Sequence, residues 1–133
     1  MSIKKMMTTR LITVSPTDTV GRLSEIFAKL PIHHVLVVEA DKLIGVVSDR
    51  DVLRNISPFV NTKAEEAKDT FTLTRQAKQI MSKKLVTIRV DRPVREAGKL
   101  MLEKKVSLLP VVDENEQLIG VLSWKDVMRF IVE

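Results

Sequence analysis

The chain has 133 residues, 44% hydrophobic and 29% charged, with only four Phe and one Trp, so it is one soluble domain or two very small ones around a core of Val, Ile, Leu and Met. It has no cysteine, which excludes a disulfide framework, thiolate catalysis and Cys-based metal sites. Lys plus Arg number 22 against 17 Asp plus Glu, a net charge of +5, but bases and acids are interleaved with no arginine-rich run and no aromatic platform, which argues against nucleic acid as the partner.

The opening MSIKKMMTTR carries no long apolar region after its lysines, and no window of the chain approaches the ~18 apolar residues of a membrane span. The expectation is a cytoplasmic protein with no membrane partner. A short extended piece, LITVS, leads into the turn SPTD, and Asp18 is the expected N-cap of a helix. Val20, Leu23, Ile26, Phe27 and Leu30 follow at helical spacing. Two apolar runs, HVLVVE and LIGVVS, are split by the polar ADK and predict a β-hairpin. DRDVLRNI then predicts a short amphipathic helix. Residues 57–80 are polar and form mostly a connector, with Thr62 and Glu65 spaced as a capping box for a short helix.

The pattern then starts again. Shifted by 74, Met7 meets Met81, Leu11 meets Leu85, Thr13 meets Thr87 and Val20 meets Val94. One extra residue in VDENEQL makes the shift 75, and LIGVVSDRDVLRNI aligns with LIGVLSWKDVMRFI at nine identical positions of fourteen. In this second copy Asp91 is the expected N-cap, and Pro93 stands where a first helical turn tolerates proline. Each copy is strand–helix–strand–strand–helix. Neither copy alone covers both faces of a three-stranded sheet, so the two are expected to pack about a pseudo-twofold axis with a cleft between them. The divisions along the chain are 1–56, 57–80 and 81–133.

A tandem pair of such repeats, each closing on Gly-x-x-Ser-x-x-Asp-Val, resembles the CBS-domain pair, or Bateman module, over essentially the whole chain. The arrangement resembles freestanding bacterial CBS-pair proteins and the CBS part of acetoin-utilization proteins. It implies an α/β (α+β) fold of two β-α-β-β-α repeats. It also implies a regulatory module that senses an adenine nucleotide (AMP, ADP or ATP) in the inter-repeat clefts. No cofactor is obligatory.

Carried over residue by residue, the resemblance assigns the ribose to Ser48 and Asp51 in one repeat and to Ser123 and Asp126 in the other. A carboxylate can accept from both ribose hydroxyls, with the serine hydroxyl beside it. Phosphate contacts fall to His33 and His34, and to Arg50 and Lys125 inside the turns. The second copy departs, with Ser107 and Leu108 where the first has the two histidines. The adenine slot would be Ile12, Thr13, Val86, Thr87, Val47 and Leu122, the lead-in of one repeat facing the turn of the other. The two sites should therefore differ in affinity.

Ser-x-x-Asp is equally the spacing of a helix capping box, and both readings stand. His33 and His34 are adjacent in an extended segment and point to opposite faces, with no third ligand evident, so no metal site is expected. Another adenosyl ligand such as S-adenosylmethionine would use the same ribose contacts. A second reading is a dimerising scaffold with vestigial clefts. Homodimerisation and an unknown regulated partner protein belong to the expectation in either case. An enzyme is not expected, because neither a nucleophile–base motif nor a phosphate-binding glycine fingerprint is present and the chain has only four Gly.

Overall fold

The computed structural model describes residues 2–133 and is a mixed α+β protein with two three-stranded sheets. The contacts divide the chain into two compact units. One runs from Ile12 to Leu85. The other comprises Val86–Glu133 together with the N-terminal segment up to Leu11.

In the Ile12–Leu85 unit, β1 (Thr13–Val14) runs parallel to β2 (His34–Glu39), connected through α2 (Val20–Lys29). β2 then pairs antiparallel with β3 (Lys42–Ser48), with an irregularity between Val37 and Val38. The hairpin turns on Ala40 and Asp41, at φ 51 and 64, the two consecutive left-handed residues that a tight two-residue connection demands. α3 (Asp49–Asn55) leaves the end of β3 directly. The other unit repeats this order with β4 (Ile88–Arg89), α6 (Val94–Lys104), β5 (Leu108–Val112), β6 (Leu118–Ser123) and α7 (Trp124–Val132). Its hairpin loop is longer. There Asp113 Oδ1 accepts from the backbone N–H of Asn115 and Gln117 at 2.8 and 2.9 Å, which takes the place of a tight turn.

Each core is built on one face of its sheet. Val14, Val35, Val37 and Val47 meet Val20, Leu23 and Val52 in the first. Ile88, Leu109, Val111 and Leu122 meet Val94, Ala97, Met101 and Val127 in the second. The helices bury most of the period-3.6 stripe read from the sequence, and the strands alternate about it.

Each sheet is completed by the segment that precedes the other repeat. α1 (Ile3–Met6) places Ile3 fully buried in the core of the Val86–Glu133 unit, and Thr8 bridges to Val121 on β6. α5 (Ala77–Ile80) places Ala77 in the core of the Ile12–Leu85 unit, and Ser82 bridges to Val46 on β3. The end of segment 57–80 thus packs as part of a core as well as connecting. A Cβ on Gly45 would overlap the Met81 side chain, and one on Gly120 would lie 2.6 Å from Met7 Sδ. Glycine at these strand positions lets the crossing segment approach the sheet.

Three expected caps are displaced. The N-cap of α2 is Thr19, whose hydroxyl accepts from Arg22 N at 3.2 Å; the Asp18 carboxylate is already committed to the N–H of Ser15 at 2.7 Å. The N-cap of α6 is Pro93 itself, while Asp91 pairs with Arg89 at 3.1 Å. Thr62 and Glu65 do not open a helix. Thr62 donates to the Phe59 carbonyl and Glu65 accepts from Asn61 N, both inside a turn. The helix begins later, as α4 (Ala67–Phe71), where Asp69 accepts from Glu66 N at 2.8 Å and from the Ser57 hydroxyl at 2.7 Å. The Ser57 hydroxyl bond, chiefly, holds the Asp69 carboxyl below the usual carboxylate range. In each case the expected cap side chain bonds instead to a partner close by in its own turn.

Candidate functional site

The two Ser-x-x-Asp turns are built alike. Ser48 and Ser123 are the N-caps of α3 and α7, at φ −95, ψ 162 and φ −95, ψ 164. Ser48 Oγ accepts from Asp51 N at 3.1 Å, and Asp51 Oδ2 accepts from Ser48 N at 2.9 Å. In the second turn the corresponding distances are 3.3 and 2.8 Å, and Ser123 Oγ also donates to Asp126 Oδ2 at 3.0 Å. Both are complete capping boxes. Each box occupies one carboxylate oxygen. Among the described residues Asp51 Oδ1 makes no hydrogen bond, and Asp126 Oδ1 lies 3.8 Å from Arg129.

The surroundings of the turns differ. Asp49 N donates to the His33 carbonyl at 3.0 Å, and Trp124 N to the Ser107 carbonyl at 2.9 Å, so the backbone clamp is common. In the first turn His33 Nδ1 also meets Asp49 Oδ2 at 2.9 Å. That imidazole, chiefly, holds the Asp49 carboxyl below the usual carboxylate range. His34 stands opposite Ser48 in the hairpin and is half-buried. Burial pushes its pKa down, and the charge of Asp49 only partly opposes this. Arg50 and Lys125 are exposed, and among the described residues neither forms an ion pair.

The remaining assigned residues fall on both units. Ile12 and Thr13 lead into the first sheet, where the Ile12 carbonyl accepts from Leu36 N at 3.1 Å. Ile12 packs on that core and Thr13 is exposed. Val86 packs on the second core and Thr87 is half-buried before β4. Val47 and Leu122 have no exposed surface, so their side chains are given over to the two cores. Two residues were missed in the sequence. Asn55 donates to the Asp51 carbonyl at 2.6 Å, and its own side-chain oxygen accepts from Arg75, tying the first turn to the connector. No spacing rule reaches across the 20 residues between them. Among the described residues no three His, Cys, Asp or Glu side chains gather as a metal site, and no helix is long and apolar enough to cross a membrane.

The family model for the CBS domain matches residues 3–58 and 77–133. The chain belongs to the CBS-domain family. Its repeats are those of a CBS pair. A CBS domain-containing protein of Dictyostelium discoideum is 32% identical over 98% of this chain and 91% of its own length. Inosine-5'-monophosphate dehydrogenase of Methanocaldococcus jannaschii is 35% identical over 90% of this chain. This chain spans 21%, 57% and 36% of the length of the first three curated relatives it matches. In the relatives named as enzymes the matched part is a minor share, 21% of that dehydrogenase and 24% of a homoserine O-acetyltransferase of Methanohalobium evestigatum. Among solved structures, CBSX2 in complex with AMP is 28% identical, with a TM-score of 0.79 over 98% of this chain and 96% of that one.

Proposed function

We propose that this CBS pair is a regulatory, non-catalytic module of the cytoplasm that binds an adenine nucleotide at its Ser-x-x-Asp turns and signals to a partner protein. The observation that carries the reading is the doubled Ser-x-x-Asp turn, kept at matching backbone geometry in both copies. Its likeness to the AMP-bound CBSX2 supports the ligand class. Asp51 and Asp126 would hold the ribose hydroxyls through the carboxylate oxygen the cap does not use, beside Ser48 and Ser123. Arg50 and Lys125, with His33 and His34 in the first repeat, would meet phosphate. Ile12, Thr13, Val86 and Thr87 would border the base, with Val47 and Leu122 shaping the slot from beneath. S-adenosylmethionine would share the ribose contacts.

Calorimetry with AMP, ATP and S-adenosylmethionine tests this. Saturable binding is expected, with two unequal affinities and a loss of about tenfold or more in Asp51→Ala or Asp126→Ala, the weight of a charge-assisted hydrogen bond. No binding up to millimolar ligand by a folded protein would overturn it.

One observation favours a second reading, self-association. Trp124, Met128, Ile131 and Val132 form an exposed stripe on α7, at 50%, 48%, 69% and 77% accessibility, beside a shallow groove of about 310 Å³. Two copies packed antiparallel on this stripe would bring Lys125 of each near Glu133 of the other. A homodimer by light scattering, reduced to monomer by Ile131→Glu, is the expected result. A monomeric wild type would remove this reading and leave the first intact.

A further inference from the structure

The two helices that leave the Ser-x-x-Asp turns are anchored differently at their far ends. α3 has seven residues and is about 10 Å long, too short to hold a helix without outside support. The connector supplies that support. Asn55, the last residue of α3, donates from Nδ2 to the Asp51 carbonyl at 2.6 Å, and the Arg75 guanidinium donates to Asn55 Oδ1. Just past the helix, Ser57 N donates to Thr72 Oγ1 at 3.1 Å, and the Ser57 hydroxyl to Asp69 Oδ1 at 2.7 Å. Ile56, between them, packs on the core. The end of α7 is built otherwise. Phe130 stands where α3 has Asn55, and Ile131 where it has Ile56. Phe130, Ile131 and Val132 have no polar side chain for such a tie, and all three are exposed.

Arg75 is the centre of the first arrangement. It is half-buried, and among the described residues it joins no ion pair. Its carbonyl accepts from Val20 N, at the start of α2, at 2.7 Å. The backbone of Arg75 is thus fixed at one helix while its side chain reaches the end of another, where a cation also meets the negative end of the helix dipole. Asp51 receives both influences on α3. Its carbonyl is held by Asn55 from the connector side, and its carboxylate closes the capping box on the other.

We infer that Arg75 is a positioning residue for the first ribose turn. Acting through Asn55, it holds Asp51 in place for a ligand, and a ligand on Asp51 in return orders the connector. Such coupling is reciprocal by thermodynamic necessity, and a turn held in advance binds more tightly because less ordering remains to be done. The second turn has no counterpart of this tie. The inference rests on the nucleotide reading of the Ser-x-x-Asp turns and adds to it the segment that responds to binding.

Calorimetry with AMP on the full chain tests it, with each turn read in the absence of the other. In the Asp126→Ala background, which leaves the first turn, Arg75→Ala should weaken AMP binding by about fivefold, the lower end of coupling between sites. Arg75→Lys should recover part of the loss, because an ammonium still donates to Asn55 Oδ1. Asn55→Ala should cost about as much as Arg75→Ala, and the double variant no more than either, because the two act in series. In the Asp51→Ala background, which leaves the second turn, Arg75→Ala should change nothing. Unchanged affinity at the first turn, additive losses, or an equal loss at both turns overturns the inference and leaves the nucleotide reading in place. Hydrogen exchange on the wild type needs no variant. AMP should slow exchange of the Val20 and Ser57 amides, whose acceptors lie on the connector, and unchanged exchange at both overturns the inference as well. Absence of AMP binding by the folded wild type overturns the two together.

Discussion

At the scale of single residues, the Ser-x-x-Asp turn closes its helix cap with one oxygen of the carboxylate. The other oxygen of Asp51 or Asp126 takes no part in the cap, and that of Asp126 faces Arg129. His34 shows a different economy. It sits opposite Ser48 with its pKa lowered from 6.5, chiefly by burial. A histidine lowered in the folded state binds its proton more readily when unfolded. Its contribution to stability is therefore present above about pH 6.5 and is lost as pH falls through the lower folded value. Urea unfolding between pH 8 and pH 5 should show stability falling below about pH 6.5 in the wild type. The fall should be shallower in His34→Gln, and an equal slope in both would show that another group sets it.

At the scale of elements, hydrophobic spacing and turn residues located the helices and hairpins, because their apolar periods depend on local geometry. The helix starts were the weak point. Asp18, Asp91 and Thr62 each had the right residue type for a cap, but each side chain found a nearer partner in a turn that only the folded backbone creates. The strand glycines carry a clearer message. Gly120 has no left-handed φ, so conformational freedom does not explain it. Contact does, since a Cβ would come within 2.6 Å of Met7 Sδ and 3.1 Å of the Thr8 carbonyl. Gly120→Ala should cost about 1–3 kcal/mol by overpacking, measured by thermal or urea unfolding. Shortening Met7 to Ala in the same chain should recover part of the loss.

At the scale of the whole molecule, one compact unit joins the N-terminal segment to Val86–Glu133, and the other runs from Ile12 through the connector to Leu85. Ile3 belongs to the core of the second repeat, and Ala77 to that of the first. Ile3→Ala should cost about 2–5 kcal/mol, the range for a buried isoleucine cut to alanine. Hydrogen exchange should then accelerate in β6 and at Val121, which pairs with Thr8, while β3 around Val46 keeps its protection. Faster exchange confined to β3 would contradict the assignment of the N-terminal segment.

The sequence by itself determined the duplication, the order of elements in each repeat, the family and the two Ser-x-x-Asp turns. All of these are written as local spacing or as identity between copies. It also showed that Met7 and Met81 correspond, without showing what they cover. Only the tertiary structure decided that each crossing segment completes the other repeat's sheet, that both turns are closed capping boxes, and that His33 is joined to Asp49. The crossing segments and the His33–Asp49 bond depend on contacts between residues far apart along the chain, which the packing within each core brings within reach, while the caps close across three residues once the strand end sets the backbone.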